Sequence, residues 1–141
     1  MTKSATSYDD AIKAALSGEY AAIYAYGVIG AYLSGSARSL ALQTETAHRN
    51  LRDQMLDTVA DPPAPAAEYA MATPVTSVAT ALAAAAEVEN KCTALWRAAV
   101  AAAGAEQRQS ALTEMINAAL RAAAFRRLGG AMPGTVAFPG Q

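Results

Sequence analysis

Histidine, cysteine and tryptophan each occur once in this 141-residue chain, and phenylalanine only twice. With a single cysteine, Cys92, no intrachain disulfide and no cysteine-based metal cluster can form. Aromatic residues make up 6% of the chain, too few to fill a thick β-sandwich core. Charged residues are also scarce, at 16%, and they nearly cancel, leaving a net charge of -1 and a pI near 5.8. That balance argues against nucleic acid as a partner, because phosphate binding needs a surplus of Lys and Arg on one face. The Ala-rich run over 79–86 is soon interrupted by Glu87, Glu89 and Lys91, so no segment reaches the length that spans a bilayer. The opening MTKSATSYDD has no apolar stretch of signal-peptide type, which makes the cytoplasm the expected location.

What the chain has in quantity is alanine, which supplies much of a 53% hydrophobic fraction and is the best helix former. Small side chains suit helices that approach one another closely. The pattern predicts one all-α domain of four helices: α1 over about residues 7–34, α2 over 36–60, α3 over 76–103 and α4 over 105–128, with an irregular tail over 129–141. Ser7 reads as an N-cap, with Asp9 and Asp10 in the first turn, and Gly129-Gly130 as a stop. Leu16, Glu19, Ile23, Tyr26 and Gly30 trace one face of α1. Leu40, Thr44, Ala47, Leu51 and Met55 trace the inner stripe of α2, and Val78, Leu82, Glu89 and Trp96 that of α3. Arg126-Arg127 suits the negative end of the α4 dipole. In the tail, Val136 and Phe138 are the side chains able to pin it to the bundle.

Four of the six prolines fall between Asp61 and Pro74. Helices of about 25 residues are roughly 37 Å long, and an extended connector of about 13 residues can reach around 40 Å. The segment can therefore return the chain to the opposite end, making α2 and α3 parallel. This is the single long crossover of a ferritin-like four-helix bundle.

Bundles of that kind that hold two metals offer a Glu from each of two helices and Glu-x-x-His from each of the other two. One such pair is present, Glu45-x-x-His48, and Glu19 and Glu89 interrupt apolar stripes, where a carboxylate is costly without a partner. Counting from the turns puts Glu19, His48 and Glu89 in one layer, within about a helical turn. Glu19, Glu45, His48 and Glu89 are therefore the candidate metal ligands. Against a full centre, Glu45 lies about 60° round the helix from His48, and α4 carries no histidine. Its Glu114 is at the wrong depth, whereas Arg121 is nearer and, if turned inward, can neutralise Glu19 or Glu89 without a metal. Tyr20, Tyr24 and Tyr26 gather around Glu19, where packing is the simplest role and their hydroxyls can otherwise hydrogen-bond core carboxylates or serve redox chemistry near a metal; Trp96 reads as a core anchor. Cys92 reads as a small buried hydrophobe between Val88 and Trp96, and Glu87 as a solvated carboxylate.

The segments GEYAAIYAYGVIGAYLSG, AHRNLRDQM, EVENKCTALWRA and ALTEMINAALRAAAFRR, with the terminal AFPG, resemble a ferritin-like domain family of unknown function found mainly in actinobacteria. The resemblance covers nearly the whole chain. Glu19, His48, Glu89, Arg121 and AFPG match the family pattern; Glu45 matches no feature of it. It implies the bundle fold and no established reaction, leaving two readings. In one, the buried Glu/His/Arg layer is structural, with no cofactor and no enzyme activity. In the other, the same residues bind iron or manganese for oxidation or metal handling. A homodimer through small-residue helix faces, at Gly27 and Gly30, is a further expectation.

Overall fold

The computed structural model describes residues 5–131 and 137–141. Four α-helices account for most of them: α1 Tyr8–Ile29, α2 Gly35–Thr58, α3 Val78–Ala102 and α4 Ala105–Leu128. Among the described residues there is no strand, and no helix is long and apolar enough to cross a membrane. The chain is thus an all-α four-helix bundle.

Local chemistry sets the helix ends. The Ser7 hydroxyl accepts the Asp10 amide at 3.1 Å, and Ser77 and Thr80 form a reciprocal capping box at the start of α3. α1 stops at Ile29, short of the predicted end, because Gly30–Tyr32 tightens into a 3₁₀ turn. Gly35, at φ +58, then opens α2 in a conformation that glycine adopts without a Cβ penalty. α2 ends at Thr58 because Val59 is already extended ahead of Asp61-Pro62.

The interior has two apolar ends. One gathers Tyr26, Ile29 and Leu33 with Ala41 at the start of α2, Ala81, Leu82, Ala84, Ala85 and Ala86 at the start of α3, and Phe125 near the end of α4. The other gathers Leu16 and Tyr20 with Met55, Trp96 and Ala111, from the opposite ends of the same helices. The connector contributes Val59 and Tyr69 to the second group, and Met71 and Val75 to the first. Tyr69 also packs on Tyr24, ring centroids 5.8 Å apart, and Thr73 donates to Glu87 at 2.5 Å. Glu87 is therefore tied to the connector rather than simply solvated.

The stripes need two corrections. On α2 the buried line is Ala41, Thr44, His48 and Met55, and Ala47 is exposed. Val78 is 54% exposed at the mouth of α3. Gly27 is exposed, and a Cβ at Gly27 or Gly30 would meet nothing within 4 Å.

In the tail, Val136 lies outside the described residues, and Phe138, expected to pin the tail, is 70% exposed. The glycine of the AFPG segment does the docking. Gly140 is buried, its N–H donates to Asn90 Oδ1 at 3.3 Å, and a Cβ there would stand 2.9 Å from the Ala94 amide nitrogen. Its φ of +83 also disfavours any side chain. Gly140→Ala should therefore release the last residues from α3 at a cost of about 1–2 kcal/mol. Faster hydrogen exchange at the residue-140 amide, with the bundle amides unchanged, checks this.

Candidate functional site

Between the two apolar ends lies one polar layer. Glu19, Thr44, His48, Glu89 and Thr93 are all at most 2% exposed. α1 brings Glu19, α2 His48 and α3 Glu89, as the depth count predicts, and α4 brings Arg121 rather than Glu114.

His48 is the hub. Its Nδ1 lies 2.5 Å from Glu19 Oε2, and its Nε2 lies 2.8 Å from Glu89 Oε1. Glu89 also accepts from the Tyr26 hydroxyl at 2.7 Å and from Arg121 Nε at 2.8 Å. The second oxygen of Glu19 accepts the Trp96 indole N–H at 3.2 Å. Tyr26 stacks on the imidazole, centroids 5.7 Å apart. Thr44 and Thr93 turn their hydroxyls back to carbonyls of their own helices, Leu40 and Glu89. Among the described residues, no buried side-chain nitrogen or oxygen lacks a hydrogen-bond partner.

The electrostatics follow from this arrangement. Burial alone would push the His48 imidazole down, but hydrogen bonds to Glu19 and Glu89, with their charges, raise it from 6.5 to about 9. Burial would raise Glu89, yet the His48 hydrogen bond, the His48 and Arg121 charges and the Tyr26 hydroxyl hold it below the usual carboxylate range. Burial, reinforced by the Glu89 charge, pushes Tyr26 well up. The two Glu side chains, the imidazole and the guanidinium thus share one buried, mutually hydrogen-bonded layer.

Tyr26 donates to a core carboxylate, one of the roles open to it in the sequence. Two features lay outside the sequence expectations. Trp96 is a donor to Glu19 as well as packing volume; it sits two turns along the same stripe from Glu89, which was the available signal. Cys92, one turn from Glu89, places its sulfur in a group with Glu19 and His48 whose donor atoms all lie within 4.8 Å of one another. Its thiol is pushed well up, by burial first and then by the two Glu charges, so it stands there neutral.

Glu45, in contrast, is not brought to the layer. It is half-buried on the flank of α2 and accepts from Arg49, one turn on, at 2.8 Å. The 60° offset carries it past the core edge, and a nearby guanidinium takes it up. Tyr24 is likewise at the surface, 38% exposed. Glu114 is half-buried, with burial raising its carboxyl and Arg121 opposing. It lines a cleft of about 550 Å³ between the N-terminal turns of α1 and α4 and the C-terminal part of α2, floored by Met55 and Trp96.

A paired-metal centre needs imidazole lone pairs on two helices. Here one imidazole is present among the described residues, and each of its nitrogens faces a carboxylate at hydrogen-bonding distance. A guanidinium occupies Glu89 where a second cation would have to lie. The donor set does not fit such a centre.

Among solved structures, this chain is similar to a conserved hypothetical protein, rv2844, from Mycobacterium tuberculosis. The two are 31% identical, with a TM-score of 0.81, over 86% of this chain and 96% of that one. No curated protein matches. A sequence model for a domain of unknown function, DUF4439, matches residues 11–140, a span that holds all four helices from Ala11 onward and every member of the charged layer. The chain therefore belongs to the DUF4439 family of domains of unknown function.

Proposed function

We propose that this is a ferritin-like bundle that works as a structural or interaction domain, in which the Glu19–His48–Glu89–Arg121 layer is a metal-free charge network and not a redox centre. One observation carries the reading: both ring nitrogens of His48 face carboxylates. A ring held that way is an imidazolium, with two N–H donors and no lone pair to give a metal. Arg121 completes the neutralisation, and Trp96 and Tyr26 meet the remaining acceptor sites. The ferritin-like connectivity is supported by the starts of α2 and α3 sharing one apolar end, which makes the Pro-rich connector a crossover.

The test uses purified protein at pH 7 loaded with iron(II) or manganese(II) without chelator, followed by metal analysis and ¹⁵N NMR of the ring. We expect less than about a tenth of an equivalent of retained metal, and both ring nitrogens protonated. Stoichiometric metal that is lost in His48→Ala, or a ring with one bare nitrogen, would overturn the reading.

A further inference from the structure

At the end of the bundle where α1 and α4 begin and α2 stops, the helices do not close on one another. Between Gln107 and Glu114, α4 turns only the short side chains of Ser110 and Ala111 to the space facing α1 and α2, and a cleft of about 550 Å³ remains. Small-molecule sites run from about 300 to 1,000 Å³. The floor is the buried pair Met55 and Trp96, and Ile12 and Leu51 add apolar walls. Two carboxylates line the cleft, Asp9 from α1 and Glu114 from α4, together with neutral Tyr8, Gln54 and Gln107. No lysine, arginine or histidine does. The cations of the surrounding elements are turned to other partners. On α1, Lys13 holds Asp9 at 3.0 Å. On α2, Arg52 holds Asp53, and on α4 Arg108 donates to the Ala103 carbonyl at 2.9 Å. Arg121, two turns beyond Glu114, is taken by Glu89, and Arg97, next to Trp96, is exposed and off the lining. Glu114 thus has no ion-pair partner among the described residues, and only the neutral Asn117 side chain assists it.

We propose that this cleft binds a small organic monocation, a primary ammonium on an aryl or alkyl body, with the ammonium at Glu114 and the body on Met55 and Trp96. An ammonium brings one positive charge and three N–H donors. The lining offers it a carboxylate and the side-chain oxygens of Gln54 and Gln107. The apolar floor takes the hydrocarbon, and the rings of Trp96 and Tyr8 suit a nearby cation, which aromatic faces attract. An anion would meet two carboxylates and no counter-charge. A bare metal ion does not suit the cleft, because among the described residues no three carboxylate, imidazole or thiol donors converge there. Burial makes the ionised form of Glu114 costly, with the Arg121 charge opposing, and a bound cation relieves that cost. The cleft meets the core layer only through Trp96, whose indole donates to Glu19, so the inference is independent of whether that layer holds a metal.

Trp96 is the chain's single tryptophan, so its fluorescence reports on the floor of the cleft. Titration at pH 7 with 2-phenylethylamine should saturate, with a dissociation constant of about 1 mM or below. The neutral analogue of the same shape, 2-phenylethanol, should bind about tenfold more weakly. The anionic counterpart, 3-phenylpropanoate, should not bind at about 20 mM. Glu114→Gln should weaken the amine about tenfold and leave the alcohol unchanged, with the helical CD spectrum and Tm retained. Glu106→Gln, in the first turn of α4 and off the lining, should change neither. Should Glu114→Gln misfold, Ser110→Lys sets a tethered ammonium one turn before Glu114 at an exposed position, and should weaken the amine in the same way. Failure of the amine to saturate by about 20 mM, equal binding of amine and alcohol, or an amine affinity untouched by these variants would overturn the proposal.

Discussion

Glu89→Ala should destabilise the bundle by about 4 kcal/mol, since removing one partner of a buried ion pair leaves an uncompensated charge behind. Glu89 is fully buried and accepts from three donors, His48, Tyr26 and Arg121, so its loss orphans more than any other single change in the layer. The three donors will respond differently. Arg121 is 19% exposed and can swing its guanidinium toward solvent. Tyr26 is buried among Ile29, Phe125 and the imidazole, and must leave its hydroxyl unpaired or admit water. His48 cannot move, but it can shed its proton, which limits the cost. Thermal denaturation should therefore show Tm falling by roughly 12 °C, with the His48 midpoint dropping well below about 9. Glu45→Ala is the matched control. It removes a carboxylate from an i,i+4 surface pair with Arg49, and should change stability by less than about 0.5 kcal/mol. A Glu89→Ala variant as stable as the control would mean that the layer holds no charge worth compensating.

How far the layer could be read in advance depends on what each residue interrupts. Glu19 and Glu89 announced themselves because a carboxylate in an apolar stripe demands a partner, and helix counting then fixed their common depth with His48. Angle was harder to read than depth. On α2, alanines flank the core edge on both sides, so nothing in residue type distinguished a stripe through Ala47 from one through Ala41 and His48. Glu45 illustrates the same weakness: an i, i+3 spacing places it near His48 along the axis, but a 60° offset was enough to hand it to Arg49. On α4, alanines and aliphatics occur all the way round, because one apolar side packs inward and another faces out. Periodicity therefore could not decide between Glu114 and Arg121. The contact with Glu89 decides it. Trp96 hid its polar tip in the same way, since volume predicts that it is inside but not where its indole N–H ends. In the tail, the expectation favoured the apolar side chain Phe138, whereas the docking residue is Gly140, selected by close backbone approach and a positive φ. The fold was legible because it rests on periodicity and breakers; the site was legible only as far as buried charge must find company.

The pH dependence of stability offers the sharpest check on that company. The folded His48 ring titrates near 9, against 6.5 for an ordinary histidine, so the folded state holds its proton more tightly than the unfolded chain does. A group whose pKa is raised on folding contributes stability that is complete below the unfolded value and lost as pH climbs through the folded one. A shift of that size is worth about 3 kcal/mol. Tm should thus be high and nearly flat from about pH 5.5 to 6.5, then fall steadily toward pH 9, by roughly 9 °C in all. Glu89 acts with the opposite sign, because a carboxylate lowered on folding gives stability that is lost only as pH drops below the ordinary carboxylate range, outside this window. Cys92 and Tyr26 are both raised on folding, and add to the loss only once their unfolded values of 9.0 and 10.0 are approached. The slope between pH 6.5 and 8.5 therefore belongs to His48, the chain's single histidine, and the ring's own NMR titration can be laid over it. A flat Tm across that interval would mean a neutral ring between two buried carboxylates, and the charge network would have to be given up.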